Sequence, residues 1–146
     1  MIRRFGEPPK SGKKYTVRPG AYAILPSRGS LLLTFQAAPE PEFQLPGGGI
    51  DSGESAIKAL HREVLEETGW GISNPRKLGV FRRFTFMPDY DLWAEKICHI
   101  YYATPVIRRS LPLEPKHSAV FLPKAEAISH LSNAGDKCFL SRFHRT

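Results

Sequence analysis

The sequence predicts an α/β protein of the α/β/α sandwich kind, a sheet covered by helices. Three observations carry this. Residues 55–68 have helical periodicity with a cap at each end. Runs rich in β-branched and aromatic residues lie on both sides of that helix, and further helical stretches close the chain. A length of 146 residues suits a single domain with a sizeable core, taken as 1–146.

The elements follow in order. Residues 1–14, MIRRFGEPPKSGKK, are basic and punctuated by Pro and Gly, which reads as a loose N-terminal arm. Residues 17–25 and 30–36 read as strands joined by a turn at 26–29. LPGGGIDSGES, residues 45–55, holds four Gly, one Pro and an Asp, and reads as a loop. Bare glycine backbone can approach a ligand closely, although ordinary turns share this composition. SAIKALHREVLEETG is free of Pro and built from good helix formers, with Ser55 placed as N-cap and Gly69 as terminator. Residues 76–86 form a strand of aromatic and basic residues. WAEKICHIYYA, residues 93–103, is strongly strand-like. A short strand at 119–122 precedes helices at 124–131 and 136–143.

The central helix carries an acidic problem. HREVLEETGW, residues 61–70, crowds Glu63, Glu66 and Glu67 into five positions. At about 100° per residue, Ile57, Leu60, Val64 and Thr68 form a core-facing stripe about 80° wide, and the three carboxylates fill an adjoining arc of about 100°. Ala56 and Ala59 share that arc and leave room above the acids. Glu63 and Glu67 are an i,i+4 like-charge pair, unfavourable by a few tenths of a kcal/mol unless neutralised. A solvated acidic face is one reading. A hard divalent cation such as Mg²⁺, which takes oxygen ligands and keeps several waters, is the other.

Read as one unit, loop and helix give Gly48, five residues, Glu54, seven residues, then Arg62-Glu63-Val64-Leu65-Glu66-Glu67-Thr68-Gly69-Trp70. This resembles the Nudix box, G-x5-E-x7-R-E-U-x-E-E-x-G-U, where U is a bulky apolar residue. The box covers 23 of the 146 residues, and FQLPGG (43–48) and VRPGAYAIL (17–25) are also similar to the family. Trp70 departs from the Ile, Leu or Val usual at the last position. The resemblance implies a Nudix-type sandwich with a mixed sheet. It also implies a metal-dependent pyrophosphohydrolase that cleaves a nucleoside diphosphate linked to another moiety. By the same resemblance Glu63, Glu66, Glu67 and the Gly48 carbonyl hold Mg²⁺ or Mn²⁺, and Glu63 is a candidate to activate water. Arg62 and Glu54 hold loop and helix together. Relatives often place another Glu where Ser118 falls. Here Glu114 or His117 is left to take that part, or both are exposed loop residues.

Substrate choice is poorly encoded. LPGGG lacks the Gln of the P-Q-G-G loop of many RNA pyrophosphohydrolases, and Pro88 and Tyr90 fall only near positions that mark other subfamilies. Phe81, Phe84, Phe86 and Trp93 are candidates to stack a base, and Arg82 or Arg83 to meet phosphate. Alternation along a strand means that half of these face a core.

Composition bounds the rest. No apolar run approaches 18 residues, so no membrane helix is expected, and the N-terminus lacks the apolar segment of a secretory signal. Two Cys do not make a disulfide framework. Cys98 reads as a small core residue, and a reducing cytoplasm is the default. The net charge of +7 sits at the ends: residues 1–18 carry six Lys/Arg and one Glu, and residues 137–146 carry three Lys/Arg and no acid. Such tails attract polyphosphate or RNA, or simply aid solubility. Without a recognisable nucleic-acid module the expected partner is a small nucleotide or other diphosphate. A non-catalytic nucleotide sensor on the same fold is the alternative reading. The sequence does not give the oligomeric state.

Overall fold

The computed structural model describes residues 1–144. Strands β1 (Arg3–Arg4), β2 (Thr16–Ile24), β3 (Pro26–Ser27), β4 (Ser30–Gln36), β5 (Glu42–Gln44) and β6 (Gly47–Gly49) precede helix α1 (Ala56–Thr68). Strands β7 (Trp70–Met87), β8 (Leu92–Arg108) and β9 (His117–Pro123) follow, then helices α2 (Lys124–His130) and α3 (Ala134–Arg142).

One sheet runs β1-β7-β8-β2-β6 and is mixed: β1 with β7 and β2 with β8 are parallel, whereas β7 with β8 and β2 with β6 are antiparallel. The second sheet centres on β4, which pairs antiparallel with β3, β5 and β9. Strand alternation then separates two cores. Ala21, Ala23, Leu25, Leu32, Tyr101 and Ala103 pack with Leu60 and Val64 of α1. Their neighbours Ile24, Leu31, Leu33, Cys98 and Ile100 pack on the other side with Ala127 of α2 and Leu140 of α3. The expected α/β/α layering is therefore present, and Cys98 is the small core residue anticipated. Among the described residues no helix is long and apolar enough to cross a membrane.

Several expectations are corrected. The N-terminal arm is tied down: Arg3 and Arg4 pair with Phe81 and Arg82, the Phe5 N–H donates to the Arg82 carbonyl at 2.9 Å, and the Phe5 ring meets Phe81 edge-on. Lys10 and Lys13 each sit 5.1 Å from the Trp93 ring centre. The hairpin of β7 and β8 extends well past 76–86 and 93–103, accommodated by register shifts near Gly71, Ser73 and Lys77. Part of the expected loop at 45–55 is strand β6, with Gly47, Gly48 and Gly49 opposite Tyr22, Ala21 and Gly20. Only glycine fits at 47, where φ is +149° and a Cβ would lie 2.1 Å from the Ala21 carbonyl oxygen.

Candidate active site

Helix α1 supplies most of the acids, and its caps fix their height. The Ser55 hydroxyl accepts from the Lys58 N–H at 3.1 Å, and Gly69 closes the helix in the left-handed region at φ +80°. The last carbonyls of a helix lack intrahelical partners. Here that of Glu66 accepts from the N–H groups of Leu113 and Glu114, and that of Gly69 from those of Arg109 and Ser110. Capping the helix thus brings Glu114 to the acidic face.

The apolar stripe is rotated from its expected centre. Ala59, Leu60, Val64, Glu67 and Thr68 are buried, whereas Ile57 in the first turn stays 39 % exposed. The arc facing the sheet is centred between Leu60 and Glu67, which puts one carboxylate of the trio inside the protein. Glu67 is only 7 % exposed. Its Oε1 accepts from the Gly47 N–H at 3.1 Å, and its Oε2 lies 3.8 Å from His117 Nε2. His117 Nδ1 is in turn 2.8 Å from the hydroxyl of buried Thr34. Burial pushes the Glu67 carboxyl well above the usual range, and the Glu63 and Glu114 charges add to this against the Gly47 hydrogen bond. Burial lowers His117, so it brings little charge to Glu67 near neutral pH.

Glu63 is half-buried. Burial raises its carboxyl, Glu66 and Glu114 add to the rise, and a hydrogen bond from Arg62 opposes it. Arg62 is the hub of the loop–helix junction. Its Nε and Nη2 grip the two Glu54 oxygens at 2.9 Å each, Nη2 also reaches the Gly49 carbonyl at 3.0 Å, and Nη1 donates to Glu63 Oε1 at 2.8 Å. This fork holds the Glu54 carboxyl down at about 2, helped by the Asp51 N–H. These contacts tie the loop to helix α1 through Arg62 and Glu54. Glu66 lies farther out, 3.5 Å from Arg62 Nη1.

Gly48, Glu63, Glu67, Glu114 and His117 line one cavity of about 330 Å³. Glu114 is exposed on its rim. Ser118 does not line it: in β9 neighbouring side chains alternate, so the register that points His117 inward turns Ser118 away. An acid at 118 would not reach this cavity by that register. Among the described residues no compact trio of acidic, Cys or His groups forms a ready-made metal cage. The donor set nevertheless fits a hard cation that retains much of its water. It offers Glu63 and Glu67 carboxyls raised by burial and by neighbouring acids, no Lys or Arg within 4.0 Å of Glu67 among the described residues, and a Gly48 backbone so close to Glu63 that a Cβ would fall 2.3 Å from Glu63 Oε2.

The cavity continues past the acids to Tyr22, Gln44, Arg83, Tyr90, Lys96, Asn133 and Asp136. Of the residues expected at substrate, Arg83 is there. Arg82 and Phe84 are not, because they occupy the opposite face of β7: Arg82 pairs with Glu95 at 3.1 Å and Phe84 meets Tyr15 edge-on. Phe81 is core, and Phe86 and Trp93 pack on each other. The aromatic rings that line the cavity are Tyr22 and Tyr90. Lys96, Asp136 and Asn133 went unnoticed in the sequence because they converge from β8 and the start of α3. The one local signal was a lysine amid the apolar run of β8.

The family model for the NUDIX domain matches residues 14–143. The chain belongs to the Nudix family. Over 74 residues it is 38 % identical to a Bacillus subtilis (strain 168) protein named "Putative 8-oxo-dGTP diphosphatase", covering 51 % of this chain and 50 % of that protein. Over 62 residues it is 42 % identical to an RNA pyrophosphohydrolase of Helicobacter pylori (strain G27), covering 39 % of each. The matched stretch thus spans half or less of these curated relatives. A crystal structure of a MutT protein from Bacillus halodurans superposes with a TM-score of 0.70 at 26 % identity, covering 86 % of this chain and 80 % of that one. A MutT Nudix hydrolase from Burkholderia pseudomallei gives 0.67 at 21 % identity, covering 88 % and 99 %, which supports the fold. The Nudix sandwich expected from the box is present in this chain.

Proposed function

We propose that residues 1–146 act as one Nudix domain, a metal-dependent pyrophosphohydrolase. It converts a nucleoside diphosphate linked to a moiety X, with one water, into a nucleoside monophosphate and phosphorylated X. The observation that carries this reading is the acidic end of the cavity, where Glu63, Glu67 and Glu114 gather beside a glycine backbone, with the carboxyls of Glu63 and Glu67 raised first by burial and then by neighbouring acids. Relatives named as diphosphatases and pyrophosphohydrolases agree with it.

Glu63, Glu66, Glu67 and the Gly48 carbonyl are the groups that would hold Mg²⁺ or Mn²⁺. The bound ion supplies charge neutralisation on the phosphates and a lowered pKa for water. The chain's own residues do the positioning on which phosphoryl transfer mostly depends. Arg62 fixes Glu63 through Oε1 and leaves Oε2 facing Gly48. That free oxygen, on a carboxyl raised toward neutrality, suits acceptance of a proton from attacking water. The Gly47 N–H and His117 fix Glu67 from two sides. Glu114, exposed on the rim, is the second candidate to receive that proton. The two free cysteines suit a reducing cytoplasm.

The test is a panel of nucleotides and dinucleotides incubated with Mg²⁺ or Mn²⁺, with products separated by ion-exchange chromatography and binding measured in parallel. Paired release of a nucleoside monophosphate and phosphorylated X is the expected result. Binding without release from any member would make the protein a nucleotide sensor instead.

A further inference from the structure

The inner half of the cavity has a feature that hydrolysis does not use. Arg83 of β7 stands directly opposite Lys96 of β8, and Lys96 is in register with Arg18 of β2. All three side chains line the cavity. Like charges directly opposite across strands are destabilising, and covering them makes matters worse. Lys96 shows the strain: burial and the Arg83 charge lower its pKa, against the pull of Cys98, Asp136 and Glu42.

The acids nearby do not resolve the conflict. Asp136 is 4 % exposed, and its carboxylate accepts hydrogen bonds from the Leu45 N–H and the Asn133 side chain. Glu42 accepts from the Ser132 hydroxyl at 2.9 Å and from the Gln44 amide. Both acids are thus hydrogen-bonded to neutral donors, and the Arg83 and Lys96 charges act on Asp136 through space, with Arg83 the stronger. Among the described residues neither Lys96 nor Arg83 has a carboxylate within 4.0 Å, whereas Arg82 next door is paired with Glu95. Arg18 is turned over the Tyr90 ring at 4.7 Å, at the outer end of the row. Two inward-facing guanidinium and ammonium groups therefore keep free donors aimed into a cavity whose other end is acidic.

We propose that the Arg83–Lys96 rung is an anion seat for a phosphoryl group of the substrate outside the scissile link. It would make the protein select a moiety X that carries further phosphate over one that is neutral, such as a sugar. This rests on the hydrolytic reading above for where the scissile link lies, but the seat itself can be tested without turnover. Arginine contributes a planar fork and lysine a point charge, a pairing suited to phosphate oxygens. A functional seat also explains why the conflict is retained, since binding sites commonly hold charges that stability alone would remove.

The experiment compares wild type with Lys96→Met, Arg83→Met and the control Arg76→Met, an exposed residue away from the cavity. Calorimetry with inorganic tripolyphosphate in chelator reads the seat directly. Steady-state kinetics with a nucleoside triphosphate and a nucleoside diphosphate sugar, both with Mg²⁺, read its use. Each of the two rung variants is expected to weaken tripolyphosphate binding and raise KM for the triphosphate about 10- to 100-fold, the usual effect of losing a charged hydrogen-bond donor. The kcat should change less than about threefold and KM for the sugar nucleotide should hold. Thermal melting of Lys96→Met should rise in the absence of ligand, because a buried ammonium and its like-charge conflict are removed; a purely structural role predicts a fall. Lys96→Arg should restore binding and guards against misfolding of a Met variant. Unchanged tripolyphosphate affinity in both Met variants overturns the seat, as does an equal rise in KM for the sugar nucleotide. If no compound is hydrolysed, the hydrolytic reading fails while calorimetry still decides the seat.

Discussion

Replacing Glu67 with Gln separates function from folding. The substitution keeps shape and keeps an oxygen to accept the Gly47 N–H now 3.1 Å away. Trading a charged acceptor for a neutral one loses about 1 kcal/mol. Against that stands relief of a buried charge, worth about 1.4 kcal/mol for each pH unit by which burial raises the carboxyl. Since Glu67 is raised well above the usual range, relief exceeds loss near neutral pH. The metal-free variant should therefore melt higher than wild type. The sign with pH follows. A carboxyl raised on folding stabilises the protein below its unfolded pKa and loses that contribution as pH rises through the folded pKa. Wild type in chelator should therefore lose stability between mildly acid and neutral pH more steeply than the variant. With Mg²⁺ at about 100 times its Kd, wild type should gain about 2.7 kcal/mol and the variant far less. Turnover should drop about 10²- to 10³-fold, as when one electrostatic stabiliser is removed from a site. Differential scanning fluorimetry with and without Mg²⁺, plus initial rates, gives all of this. Wild-type turnover in the variant, or a metal-free melting point several degrees lower, would refute the reasoning.

Further outcomes follow from the same geometry. Glu63→Gln should lower kcat by orders of magnitude with little change in KM, and Glu114→Gln should do less, because Glu114 sits exposed on the rim; equal damage in saturating Mg²⁺ would give Glu114 the larger part. Asp136, raised by burial to about 6 from 3.8, should make the protein lose on the order of 3 kcal/mol between about pH 4 and 6, and Asp136→Asn should flatten that slope in pH-dependent melts. Gly47→Ala should fail to fold or melt more than 10 °C lower, since its Cβ meets Ala21 and Tyr22 backbone that cannot give way, and circular dichroism will show it. Phe5→Ala removes an edge-on contact with Phe81 and should lower the melting temperature by about 4–8 °C while leaving KM unchanged.

How much could be read beforehand depended on whether the information was local. The helix 55–68 was legible because Ser55, Gly69 and a 3.6-residue period lie within one segment, and the layered fold followed from strands on both sides of it. The Arg62–Glu54 fork was legible only through the box spacing. What failed was anything set by long-range pairing. Gly47, Gly48 and Gly49 look like loop composition, yet they form a strand because β2 offers them an edge. The arm looked loose because Phe5 has no local partner; Phe81, far along the chain, is its contact. Arg82 and Arg83 could not be told apart until the register of β7 on β8 fixed which one faces the cavity. The sequence puts Glu67 on an arc beside the core-facing stripe, and only the helix's rotation on the sheet shows it buried. Lys96 and Asp136 carry no motif at all.

The central claim is that water attacks phosphorus at the acidic end of the cavity. The most direct measurement is hydrolysis of a nucleotide substrate in H₂¹⁸O with Mg²⁺, with mass analysis of both phosphorylated products for wild type and Glu63→Gln. One labelled oxygen in a single product from wild type, abolished by chelator and reduced by orders of magnitude in Glu63→Gln, is the predicted result. Label-free substrate recovered intact from a protein that binds it, or undiminished labelling by Glu63→Gln, would contradict the account.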